Sequence, residues 1–195
     1  MTRTVFYTAT TLDGFIADEA DSLAWLFAQR GDPAVTGDYE SFVSGIGALL
    51  MGRTTYEWIL RELGEGASWP YDLPTFVATH ADLAAPEGAD VRFVAGDARE
   101  IHTGLVAAAG GKDIWVVGGG DLAGQLADAG LLDELRLSIA AATLGSGRPL
   151  LPRRLALGLL SVERVGDFVS VVYDVLGPGD PAWADAPTPD GPVPA

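Results

Sequence analysis

The stretch ALLMGRTTYEWI, residues 48–59, compresses a strand, a turn and a helix start into twelve positions. Ala48 to Met51 form a short apolar run of the kind that is buried on both faces of a sheet. Gly52 ends it, and TYEWILREL, residues 55–63, then has helical character. Arg53, Thr54 and Thr55 lie between the two. A helix N-terminus presents unpaired amides and the positive end of the helix dipole, so a phosphate placed there is stabilised. An arginine adds a planar fork matched to phosphate oxygens. A purely structural reading also exists: Thr54 with Glu57 three residues later spells a capping box.

A second junction of the same kind follows DIWVV, residues 113–117, where Gly118-Gly119-Gly120 leads into DLAGQLADAG. Glycines admit close approach of a ligand and backbone angles closed to other residues. Here too the alternative is local, with Asp121 acting as a helix cap. The pattern is neither a phosphate-binding Walker loop nor the dinucleotide G-x-G-x-x-G fingerprint. Two anion-ready junctions in one chain fit a ligand with two phosphate groups.

Working outward, TRTVFYTATT (2–11) alternates as a strand, and Asp13-Gly14 marks a turn. A helix from Thr36 places Tyr39, Phe42, Val43 and Ile46 on one stripe. PTFVATH and VRFVAG read as strands, AREIHTGLVAAAG as a helix closed by glycines, and DELRLSIAAATLG as a further strand. GLLSVERVGD and FVSVVYDVL form a terminal hairpin turning at Gly166-Asp167. Residues 177–195 hold six of the twelve prolines and read as a tail. Alternating strands and helices with a closing hairpin predict an α/β layered domain around a mostly parallel sheet, whose ligands collect at the carboxyl ends of the strands.

Composition narrows the function. The 195 residues are 48% hydrophobic, enough for one domain with a substantial core. The formal charge of −15 argues against nucleic acid and anionic membranes as partners. No apolar run is long enough to span a bilayer, and the N-terminus reads as a strand, so a cytoplasmic protein is expected. With no cysteine, disulfides and thiolate metal sites are excluded, and no metal is expected. Lys112 is the only lysine, so an anionic ligand must rely on arginines and backbone amides.

TLDGFIA, DSLAWLF, ALLMGRTTYE, PTFVATH, IWVVGGGDLAGQL and LGSGRPLL occur in the order found in the dihydrofolate-reductase-like superfamily. The chain resembles its small single-domain members, relatives of the reductase domain of the bifunctional riboflavin-biosynthesis deaminase-reductase, over residues 3–176. The resemblance implies a three-layer dihydrofolate-reductase-like sandwich over residues 1–176, with the antiparallel hairpin at its edge. It also implies NADPH as cofactor and hydride transfer to a C=N or C=O group of a small heterocyclic or sugar-derived substrate.

Carried over by resemblance, Arg53 contacts the 2′-phosphate side of the adenosine, and Gly52, Thr54 and Thr55 approach the phosphates. Thr79 and His80 flank the adenosine. Gly118, Gly119, Gly120, Asp121 and Leu122 wrap the pyrophosphate and nicotinamide side, while Ala9 and Ile16 hold the nicotinamide. On the substrate side, Asp13 matches an aspartate near the substrate in the riboflavin enzymes, although it also reads as a simple turn residue. Those enzymes carry a glutamate where Val117 stands here. Asp38 is the candidate for the acidic helix residue that holds the pterin in dihydrofolate reductases, and either Asp13 or Asp38 is a candidate proton donor beside water. Trp25 is placed to roof the substrate pocket or fill the core, and His102 reads as a surface residue. Relatives pair through the sheet edge and terminal hairpin, so a homodimer is expected. Two other readings stand beside the reductase: a non-catalytic nucleotide-binding or regulatory protein on the same fold, and an unrelated α/β protein whose junctions are only caps.

Overall fold

The computed structural model describes residues 1–30, 37–64 and 67–180, without the side chains of Gly37 and Asp38. An eight-stranded sheet forms its middle layer. In chain order its strands are β1 (Thr4–Thr11), β3 (Ile46–Gly52), β4 (Thr75–Ala78), β5 (Val91–Val94), β6 (Asp113–Gly118), β7 (Glu134–Ala140), β9 (Leu155–Val165) and β10 (Phe168–Pro178). In space the order is β5-β4-β3-β6-β1-β7-β10-β9. The strands from β5 to β7 are parallel, and the β9–β10 hairpin adds antiparallel to β7. A second small sheet pairs β2 (Phe15–Ala17) with β8 (Arg148–Pro149).

Strand alternation sorts the core into two halves. Phe6, Leu50, Phe76, Ile114 and Val116 face α4 (Ala98–Ala109) and α5 (Gly120–Asp128), meeting Ile101, Leu105 and Leu126. Their neighbours Val5, Leu49 and Trp115 face the opposite layer, where Phe42 of α2 (Gly37–Ser44) packs. Met51 and Val77 meet Tyr56 and Ile59 of α3 (Arg53–Leu63) on that same side. Leu49, Leu50 and Met51 are fully buried, which explains why β3 is apolar without alternation. The three-layer sandwich is therefore present, with its hairpin edge.

Three sequence readings are corrected. Ile46 opens β3 and is not on the preceding helix, yet it packs with Tyr39, Phe42 and Val43 in one cluster, so a helical stripe continues across the helix–strand boundary. His102 is half-buried, its Nε2 2.9 Å from Oγ1 of the buried Thr4, and burial lowers its pKa. The terminal strand β10 runs to Pro178, just past the point where the proline-rich tail is expected to start. The rest of that tail, residues 181–195, lies outside the described residues.

β3 and α4 touch backbone to backbone. A Cβ on Gly47 would lie 2.0 Å from the carbonyl oxygen of Ala109 and 2.7 Å from its carbon. Because neither backbone can yield cheaply, Gly47→Ala is expected to cost at least about 1–3 kcal/mol of stability. A lowered urea midpoint whose shift, multiplied by the m-value, reaches that range supports this packing, and an unchanged midpoint contradicts it.

Candidate functional site

All six parallel strands release their chains at one edge of the sheet. β6 lies between β3 and β1, so the junctions after β3 and β6 are neighbours there. They share a cavity of about 450 Å³ lined by Thr54 and Thr55 from one side and Gly118 to Asp121 from the other. Their contact is tight: a Cβ on Gly118 would lie 2.7 Å from Oγ1 of Thr55. Gly119 follows with φ +101°, in the left-handed region that favours glycine. Gly120 has no room either, because its Cβ would meet the carbonyl oxygens of Pro149 and Leu150 at 2.3 Å.

How the helices begin decides what the junctions offer. The capping box that the Thr54–Glu57 spacing predicts is not formed. α3 starts at Arg53, with Gly52 as its cap residue and no side-chain cap hydrogen bond. Glu57 instead accepts from Nε of Arg53 at 2.7 Å, an exposed i,i+4 ion pair. Asp121 is likewise not the cap of α5. Gly119 takes that position without a side-chain bond, and Asp121 stands in the first turn, accepting from Gln125 and Arg153. By contrast, α4 is capped by its own Asp97, which accepts from the amides of Arg99 and Glu100. The two long helices that open at the cavity thus keep their first amides free of side-chain caps.

Of the residues expected to hold a cofactor, Ile16, Thr54, Thr55, Gly118, Gly119, Gly120 and Asp121 line the cavity. Gly52 and Leu122 support the turn beneath, within 3.9 and 3.4 Å of a Cβ on Gly119. Arg53 is exposed and outside the lining, next in sequence to Thr54. Ala9 pairs with Ser138 inside the sheet, and its neighbour Thr8 reaches the cavity instead. Thr79 and His80 follow β4 at the same edge but outside the lining, where Oγ1 of Thr79 caps a turn by accepting from the Ala81 amide.

The substrate-side residues fare differently. Asp13 does not line the cavity. It accepts from Oγ1 of Thr11 at 2.6 Å and from the amides of Leu144 and Gly145 at 3.0 and 2.7 Å, tying the β1–β2 turn to the loop after β7. The Thr11 bond, helped by these amides, lowers its pKa. Trp25 lies on α1 (Ala24–Phe27), away from the cavity lining, with a buried Nε1 that meets no partner among the described residues. Asp38 belongs to α2, but its side chain falls outside the described residues.

Other lining residues come from the same stretches but were not expected at the site. Val117 and Trp58 supply apolar wall, and Arg148 is held by Asp21 through Nε–Oδ1 and Nη2–Oδ2 contacts of 2.6 and 3.2 Å. Beyond Trp58 and Leu23 a second cavity of about 310 Å³ opens, bordered by Phe27 and Arg61. Phe27 and Trp58 stack there with their planes 12° apart and centroids 6.3 Å apart. Among the described residues no cluster of acids and histidines is placed to hold a metal, and no helix is long and apolar enough to cross a membrane.

Comparison with known proteins places the chain by family and by fold. The uncharacterized protein YwjB of Bacillus subtilis (strain 168) is 29% identical over 178 residues, covering 88% of this chain and 97% of its own. The crystal structure of a protein of Shewanella sp. PV-4, provisionally assigned to riboflavin biosynthesis, superposes with a TM-score of 0.76 at 27% identity, covering 89% of this chain and 99% of that one. Dihydrofolate reductase from Enterococcus faecalis, solved with NADP(H), shares the fold at a TM-score of 0.54 and 18% identity, covering 89% of this chain and 96% of that one. The model of the RibD C-terminal domain matches residues 72–170, just over half of the 195-residue chain. The chain therefore belongs to the RibD C-terminal domain family, on a dihydrofolate-reductase-like fold.

Proposed function

We propose that the protein is an NADPH-dependent reductase acting on a C=N or C=O group of a small heterocyclic or sugar-derived substrate. The observation that carries this reading is the meeting of two uncapped helix N-termini in one cavity. Free amides on both sides suit a pyrophosphate, and Gly118, with no side chain to strike Thr55, lets the two junctions pack closely enough to share it. NADPH bound there would supply the hydride. The chain's own task is to bind and orient: amides of α3 and α5 take the phosphates, while Ile16 and Val117 give an apolar, water-excluding wall for the nicotinamide. Trp58, which borders both cavities, would offer its flat apolar face to the substrate's ring.

Arg53 is assigned to the 2′-phosphate. Its pair with Glu57 is exposed and worth only about 0.3–0.5 kcal/mol, so a ligand displaces it at little cost. The proton that accompanies the hydride is assigned to water. Both carboxylates that line the cavity, Asp21 and Asp121, are engaged by arginines, and Asp13 is held ionised by its hydrogen bonds. Among the described residues the cavity lining holds no acid free of an arginine, and this is the observation that favours a non-catalytic nucleotide-binding protein as the second reading. NADPH oxidation with any member of a carbonyl and imine panel decides for the reductase, and binding without turnover decides for the alternative. An unrelated fold with purely capping junctions is set aside by the family and by the uncapped helices.

The same reading includes a homodimer. β9 ends the sheet, and Leu159, Leu160 and Val162 along it are more than half exposed. An apolar edge strand of this length invites a second copy.

Three outcomes are expected. NADPH binds more tightly than NADH in a nicotinamide-fluorescence titration, and Arg53→Ala removes about 1.5 kcal/mol of that preference, the lower end for a charged hydrogen bond because the site is exposed. Equal binding of both cofactors contradicts the assignment. Light scattering gives a dimer that Val162→Lys converts to monomer, whereas a monomeric wild type refutes pairing. Asp13→Ala lowers the thermal midpoint near neutral pH without abolishing turnover. Because the folded pKa of Asp13 is depressed below 3.8, its contribution is present above that unfolded value and fades as pH falls through the lower folded one. The two midpoints therefore converge in strong acid, and a constant gap contradicts the account.

A further inference from the structure

One stripe of α5 carries Asp121, Gly124, Gln125 and Asp128, spaced to share a helix face. Arg153 lies along that stripe. Its Nε donates to Oδ2 of Asp128 at 2.7 Å, its Nη2 to Oδ1 of Asp121 at 3.0 Å, and its Nη1 to the Pro152 carbonyl at 2.9 Å. Gly124 makes the room: a Cβ there would stand 3.0 Å from Cγ and 3.1 Å from both Nε and Cζ of Arg153. As a result Arg153 is only 26% exposed, although Asp121 and Asp128 are 66% and 56% exposed. The loop it belongs to also seats the carbonyl oxygens of Pro149 and Leu150 against Gly120. Pro149 and Pro152 of this loop line the cavity, as does Asp121.

This arrangement resolves a conflict of charge. An acid in the first turn suits the helix dipole, but it opposes any anion bound at the same N-terminus. Asp121 does not relieve the conflict by protonation near neutral pH, since hydrogen bonds from Gln125 and Arg153 lower its pKa. A cation spanning the helix relieves it and fixes the loop in one step.

We propose that Arg153 is a positioning residue for the anion end of the cavity, holding residues 149–153 onto α5 and cancelling the Asp121 charge that a dinucleotide's phosphates would otherwise meet. The inference rests on the NADPH reading above, and it assigns Arg153 no contact with the reacting atoms. If Arg153 served only to stabilise the fold, neutralising Asp121 would not repair its loss. If it acts through charge, neutralisation does repair it.

The test measures the Kd of NADPH by fluorescence for wild type, Arg153→Ala, Asp121→Asn and the double variant, at low salt and at about 0.5 M salt, with thermal midpoints recorded alongside. Arg153→Ala is expected to weaken binding about five- to tenfold at low salt, with the deficit shrinking at high salt. The double variant is expected to recover to within about two- to threefold of wild type. Unchanged binding in Arg153→Ala overturns the inference, as does a folded double variant that binds no better than Arg153→Ala. Should Arg153→Ala fail to fold, Asp121→Asn alone carries the test: it is expected to bind about two- to fivefold more tightly at low salt, and no gain overturns the proposal. A wild type that does not bind NADPH overturns the cofactor reading itself, which keeps the two failures distinguishable.

Discussion

The rest of the site depends on the packing of Gly118 against Thr55. β6 enters the sheet beside β3, and the chain leaving β6 has to pass the first turn of α3. It does so without a side chain, since a Cβ on Gly118 would fall 2.7 Å from Oγ1 of Thr55. Gly119 then turns through a left-handed conformation, and Gly120 starts α5 against the carbonyls of residues 149 and 150. Gly118 and Gly120 avoid steric clashes and Gly119 supplies the left-handed turn, and together they let two helix N-termini face one cavity.

Electrostatics gives this packing its meaning. A chain with a net charge of −15 repels anions at long range, so a phosphate site must be built from local features. Backbone amides supply attraction without adding a titratable group. Arginines are then spent where an acid would interfere: Arg148 on Asp21, and Arg153 on Asp121 and Asp128. The cap of α4 shows the ordinary solution, with Asp97 satisfying the first amides of a helix that does not open at the cavity. The difference between α4 and the pair α3 and α5 separates a helix start that is finished from two that are left open.

Much of this was legible in the sequence because it is local. Strands and helices alternate with clear periods, and both junctions carry their glycines in plain view. Where the reading went astray, a local pattern had a second use. Glu57 stands three residues after Thr54, as a capping box requires, but also four after Arg53, and the ion pair is what forms. Ile46 continues a helical stripe because the same hydrophobic cluster takes the end of α2 and the start of β3. His102 sits on a helix and looks solvent-facing, but its partner Thr4 is 98 positions away. Trp58, Arg148 and Asp21 were missed as cavity residues. Asp21 and Arg148 meet the cavity only through topology, and β8 at two residues is too short to show a pattern, whereas Trp58 shares a face of α3 with Thr54 at i,i+4. Asp13 reads as either a turn or a catalytic acid, and only its three partners reveal an anchoring contact.

The central claim is that the two open helix ends act as one binding site. Backbone amide chemical shifts followed during an NADPH titration test it most directly. The account predicts that the amides of Thr54 and Thr55 shift together with those of Gly119, Gly120 and Asp121, along curves described by a single Kd, while the capped start of α4 stays still. Shifts confined to one junction, or two junctions titrating with different constants, would contradict it.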